Sequence, residues 1–103
     1  MGETYKIRYL PLFYEDLDKI TDYIACKLNN KIAARNFLNK IETKINERVN
    51  SLTQYEKYIS FKKRKIPYYR IYINNYTIFY TIEENTIEFR RILYSRRNFN
   101  NLI

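Results

Sequence analysis

The chain reads as an α+β domain, a helical hairpin packed on an antiparallel-rich sheet in the order β-α-α-β-β-β with a short C-terminal tail. Three observations predict this. An alternating apolar and basic run opens the chain at Tyr5-Lys6-Ile7-Arg8-Tyr9, two apolar stripes at helical spacing follow, and three tyrosine-rich runs separated by asparagine and glutamate turns close it. At 103 residues the whole chain, 1–103, is expected to form one domain with a modest core.

Each element has its own reason. Pro11 ends the first strand and opens a helix, where its fixed φ and missing N–H do little harm. Leu17, Ile20, Ile24 and Leu28 recur at helical spacing and predict a helix over roughly 12–28, with Glu15, Asp16 and Asp18 placed to favour the positive end of its dipole. Asn29-Asn30 breaks it. Ala34, Phe37, Leu38, Ile41, Ile45, Val49 and Leu52 then make one stripe of a second helix, with Lys40, Lys44 and Arg48 off it. The short break predicts an antiparallel hairpin.

Periodicity fails from Thr53 to Pro67, and Pro67 marks the entry to the second strand, Tyr69-Arg70-Ile71-Tyr72. Asn74-Asn75 sits between this strand and the third, Tyr76 to Tyr80, because asparagine tolerates the positive φ of a tight turn. Glu83-Glu84-Asn85 makes the next turn. On the fourth strand Ile87 and Phe89 share one parity, whereas Ile92 and Tyr94 continue on the other. That phase change at Arg90-Arg91 predicts either a bulge that re-aims a side chain or a central strand buried on both faces.

Composition narrows the chemistry. There is no histidine and one cysteine, which removes most familiar metal and acid–base sites, and no cofactor is expected. Cys26 lies on a helical pattern and reads as a small buried hydrophobe in a reducing compartment. No apolar run is long enough for a membrane span and no signal peptide precedes Tyr5, so a cytoplasmic protein without membrane contact is expected.

The net charge of +8 is concentrated at the back of the chain. Residues 1–52 hold nine Lys/Arg against seven Asp/Glu, and residues 53–103 hold ten against four. The densest run is Lys62-Lys63-Arg64-Lys65, and it leads into strands bearing Arg70, Arg90, Arg91, Arg96 and Arg97. These nine residues are the candidates for binding a target or RNA. Arg70, Arg97, Tyr72 and Tyr94 are the candidates for any catalysis: with a conventional acid–base pair absent, Arg70 and Arg97 act mainly by charge and bidentate contact, and a tyrosine needs a strongly shifted pKa.

At this point the chain resembles the RelE/ParE superfamily of bacterial type II toxin–antitoxin toxins. The resemblance is carried by Tyr14-Glu15-Asp16-Leu17-Asp18-Lys19-Ile20-Thr21-Asp22-Tyr23-Ile24, by Ala34-Arg35-Asn36-Phe37 and the long helix after it, by Asn75-Tyr76-Thr77-Ile78-Phe79-Tyr80, and by the ending Ile92-Leu93-Tyr94-Ser95-Arg96-Arg97-Asn98. It implies a growth-inhibitory toxin acting through its basic sheet surface and neutralised by a cognate acidic antitoxin.

Two mechanisms are implied. RelE-like members are metal-independent, ribosome-dependent endoribonucleases that cut messenger RNA through basic and tyrosine side chains. ParE-like members are not nucleases and inhibit DNA gyrase. Arg70 and Arg97 look like cationic positions of the nucleases. The arginine those nucleases carry after the third-strand tyrosine is Thr77 here, and no tyrosine follows Tyr94 to match their C-terminal one. Tyr72, Tyr94 or the lysine run can stand in for the missing groups. The helical hairpin with Asp22-Tyr23-Ile24 reads more like the ParE side, so gyrase is preferred over the ribosome and its message as target.

Overall fold

The computed structural model describes residues 5–51 and 68–96. Strand β1 (Lys6–Tyr9) leads into α1 (Pro11–Asp22), a π-helical turn (Tyr23–Lys27), and α2 (Lys31–Val49). Strands β2 (Tyr69–Ile73), β3 (Tyr76–Glu83) and β4 (Thr86–Tyr94) follow. The sheet order is β1-β4-β3-β2, with β4 antiparallel to β3, β3 antiparallel to β2, and β1 parallel to β4. Two helices on one face of a largely antiparallel sheet is the α+β architecture expected from the sequence.

The first helix departs from its expected span. Its regular part ends at Asp22, and a wider turn carries the chain to Lys27, with the Leu28 N–H donating to the Tyr23 carbonyl at 3.1 Å. The extra residue in that turn rotates Leu28 out of the stripe, and it is 55% exposed; Cys26, expected to be buried, is exposed in the same turn. Asn29 then takes φ 48° and Asn30 caps α2, its Oδ1 accepting the Ala33 N–H at 2.9 Å. Nor does the first turn of α1 carry an acid, since it begins at Pro11. Asp16 faces the sheet and is buried.

Ala34, Phe37, Ile41 and Ile45 form the buried stripe of α2. Leu38, one residue round from Phe37, is rotated about 100° off that line and stays exposed. Arg48 also differs from the expectation: it is half-buried against β2. The end of the expected stripe, Leu52, lies outside the described residues.

The helix stripes meet Ile71 and Ile73 of β2, Ile78 and Tyr80 of β3, and Ile87, Phe89 and Ile92 of β4. Aromatic packing ties the layers, with Tyr9 stacked on Phe89 at 5.2 Å and Phe37 edge-on to Tyr76 at 5.4 Å. Both turns of the meander use a left-handed residue, Asn74 at φ 52° and Glu84 at φ 55°. Lys40 Nζ donates to Asn74 Oδ1 at 2.9 Å and so fastens the first of them to α2.

Phe79 pairs with Arg91 but Tyr80 pairs with Phe89, which leaves Arg90 as an extra residue in β4. Of the two alternatives from sequence the bulge is present; the strand is central, but it is not buried on both faces, since Glu88 and Arg90 are only half-buried.

Candidate target-binding face

Period-2 alternation decides which side chains reach the face of the sheet turned away from the helices. On β2, Arg70 and Tyr72 pair with Phe79 and Thr77 and share that face with them. On β4 the bulge keeps Arg90 there, together with Glu88, and on β1 the same alternation places Arg8 beside Glu88. Tyr68, Phe79 and Leu93, also on this side, are buried.

The cations are organised by rings and carboxylates. The Arg70 guanidinium lies over the Tyr72 ring at 5.2 Å, and that ring is 56% exposed. Arg90 lies 5.7 Å from the centre of the Tyr68 ring and 2.5 Å from a Glu88 oxygen, and the other Glu88 oxygen takes Arg8 at 3.1 Å. Arg70 and Tyr72 therefore sit at one edge of the face, and Arg8 and Arg90 toward the other.

Arg91 takes a different course. Past the bulge its Nε and Nη2 donate to the two oxygens of Asp16 on α1 at 2.8 and 2.9 Å, and this bidentate bond raises its already high pKa. The hydrogen bond is the larger cause, and desolvation opposes it. Tyr94 pairs with Tyr76 beside α1, the two rings edge-on at 5.8 Å. Thr77 is fully buried, its hydroxyl sharing a 2.8 Å hydrogen bond with that of Ser95. Arg96 follows in an exposed turn.

Of the residues singled out from sequence, Arg70, Tyr72 and Arg90 share the face turned away from α1 and α2, and Arg91 is committed to Asp16. Lys62, Lys63, Arg64, Lys65 and Arg97 lie outside the described residues.

Sequence reasoning passed over Arg8, Glu88, Tyr68 and Arg48. Arg48 Nη1 donates to the Arg70 carbonyl at 2.6 Å and to the hydroxyl of the buried Tyr80 at 3.0 Å. The signal for Arg8 was present in the alternation of β1. Arg48 gave none, because a long stem lets an off-stripe arginine bury its reach and still hold its charge at the surface.

Burial raises the pKa of Tyr76, with further contributions from Tyr23 and Tyr94. Burial likewise raises that of Tyr9. Both phenols are thus held away from ionisation at neutral pH, the reverse of what a tyrosine base requires.

Among the described residues no helix is long and apolar enough to cross a membrane. No curated protein matches the chain. Its fold is similar to that of the chromosomal ParDE toxin–antitoxin system from P. aeruginosa, with a TM-score of 0.71 at 14% identity over 90% of this chain and 98% of that one. It is also similar to the RelB–RelE antitoxin–toxin complex from Methanococcus jannaschii, with a TM-score of 0.56 at 22% identity over 93% and 99%. For the archaeal RelE–RelB complex from Pyrococcus horikoshii OT3 the TM-score is 0.52 at 15% identity over 93% and 100%. At these identities the likeness is one of fold. The sequence itself matches the family model of the ParE toxin of the parDE type II toxin–antitoxin system over residues 7–99. With that match spanning nearly the whole chain, the protein belongs to the ParE toxin family and is a toxin of a type II toxin–antitoxin system.

Proposed function

We propose that this toxin inhibits growth by binding DNA gyrase through the basic residues on the sheet face turned away from α1 and α2, and that a cognate acidic antitoxin silences it by covering them. The observation that carries this reading is Thr77. RelE nucleases resemble this chain but carry an arginine there, whereas here the position is fully buried and its hydroxyl is tied to Ser95. A phosphate-directed charge is missing from the place where a nuclease needs it, and Arg91 is spent on Asp16. Arginine and tyrosine on a sheet surface are also the residue types that anchor protein–protein contacts.

A RelE-like activity on translated messages is the second reading, favoured by the Arg70–Tyr72 pair, which offers a charge and an exposed ring side by side. Induction of the toxin in cells separates the two. The proposal expects impaired supercoiling of a reporter plasmid with translated messages intact. Codon-phased cuts in a message, mapped by primer extension while supercoiling persists, would replace it with the second reading.

A further inference from the structure

Among the described residues, charge is divided across the sheet face turned away from α1 and α2. Toward β1 it holds a recess of about 370 Å³, lined among the described residues by Arg8, Arg90, Glu83, Glu84 and Glu88, with two threonines completing the wall. Among the described residues two arginines against three glutamates give a formal −1, on a chain whose net charge is +8. Lys6, on the same side of β1, brings the described residues of this corner to neutrality.

The arrangement is built rather than incidental. The Glu88 side chain is 16% exposed, against 66% for Arg8 and 37% for Arg90, so the carboxylate lies beneath the two cations that grip it. Each cation uses a separate oxygen. Glu83 and Glu84 stand at the rim, on a turn fixed by the left-handed Glu84. On the opposite edge the picture changes: Arg70 stacks on Tyr72, and the turn beyond them, Asn74-Asn75, is uncharged.

We infer that Glu83, Glu84 and Glu88 act as a charge filter that closes the β1 side of the face to phosphodiester chains. A phosphate reaching for Arg8 or Arg90 must compete with a carboxylate already bound to both. It must also approach two more carboxylates within the roughly 8 Å over which charges act at physiological salt. Specificity is then set by repulsion as well as attraction. The filter operates whichever target the toxin has.

The test uses the purified chain and a labelled single-stranded RNA of about twelve nucleotides, with binding followed by fluorescence anisotropy between about 50 and 200 mM salt. The variant Glu83→Gln/Glu84→Gln/Glu88→Gln is compared with Asp18→Asn/Glu42→Gln/Glu47→Gln, which removes the same charge from the helices. The first should tighten RNA binding about tenfold and steepen the salt dependence by about one to two phosphate contacts, and the second should gain less than about threefold. Equal gains from the two sets, or none from the first, overturn the inference. The double variant Glu83→Gln/Glu84→Gln leaves the Glu88 bridges intact and guards against a folding defect. It should show part of the gain, and its failure to do so while folded counts equally against the filter.

Discussion

Asp16, on the second turn of α1, holds Arg91 through both carboxylate oxygens and accepts the Ile92 N–H at 3.1 Å. Strand β1 pairs with β4 only as far as Phe89, so this one carboxylate satisfies a backbone donor on the edge that β1 leaves uncovered. The same contact fastens the first helix to the sheet.

Removing the carboxylate should therefore be costly. Asp16→Ala takes the bidentate partner from a largely buried guanidinium and the acceptor from an edge N–H together, and a loss of about 3 kcal/mol is expected in urea denaturation. Arg91→Ala should cost less, about 1–2 kcal/mol, because Asp16 keeps the Ile92 N–H. A loss for Asp16→Ala within surface-substitution range would mean that the pair does not hold the helix.

The burial pattern of α2 makes a second contrast. Ile41→Ala removes a side chain 4% exposed and should cost about 2–5 kcal/mol. Leu38→Ala, at a position 42% exposed, should stay within roughly 0.5 kcal/mol. Chemical denaturation of the pair checks the helix face, and equal effects would show it to be wrongly assigned.

These two contrasts also mark what was legible in the sequence. Local periodicity carried the α2 stripe, the two tight turns and the phase break at Arg90, since each depends on residues close in the chain. Leu38 was misread because an apolar residue beside the stripe looks like part of it until the helix is turned against a sheet. The parallel pairing of β1 with β4, and the ion pair of Asp16 with Arg91 across 75 positions of sequence, depend on where the helical hairpin delivers the chain. A single sequence has no local signature for that. The candidate face was legible as a list of arginines, but its division was not, because Glu88 reads as one more exposed acid until its two partners are seen.

Arg48 and Tyr80 offer a coupled pair. Arg48→Met leaves the hydroxyl of the fully buried Tyr80 without this donor and should destabilise the fold by about 1–3 kcal/mol. In a Tyr80→Phe background the same change should cost less. A double-mutant cycle is expected to give a coupling of about 1 kcal/mol. A coupling near zero would show that the bond to the Tyr80 hydroxyl does not carry the effect of Arg48.

Alkaline pH should weaken the fold through Tyr76. Its folded pKa is raised above the ordinary phenol value of 10.0, chiefly by burial, so the native state prefers the neutral phenol. That contribution is whole below the unfolded pKa and is lost as pH rises through the folded one. Denaturation midpoints should fall above about pH 10, and Tyr76→Phe should reduce the slope there. An unchanged slope in the variant would show that Tyr76 plays no part.

The most direct measurement is supercoiling of a relaxed plasmid by purified DNA gyrase in the presence of the purified toxin. Dose-dependent inhibition is expected, retained by Leu38→Ala and lost by Arg70→Ala, whose side chain lies on the proposed contact face. Full supercoiling at toxin concentrations that arrest growth, with codon-phased cleavage of translated messages in the same cells, would contradict gyrase as the target.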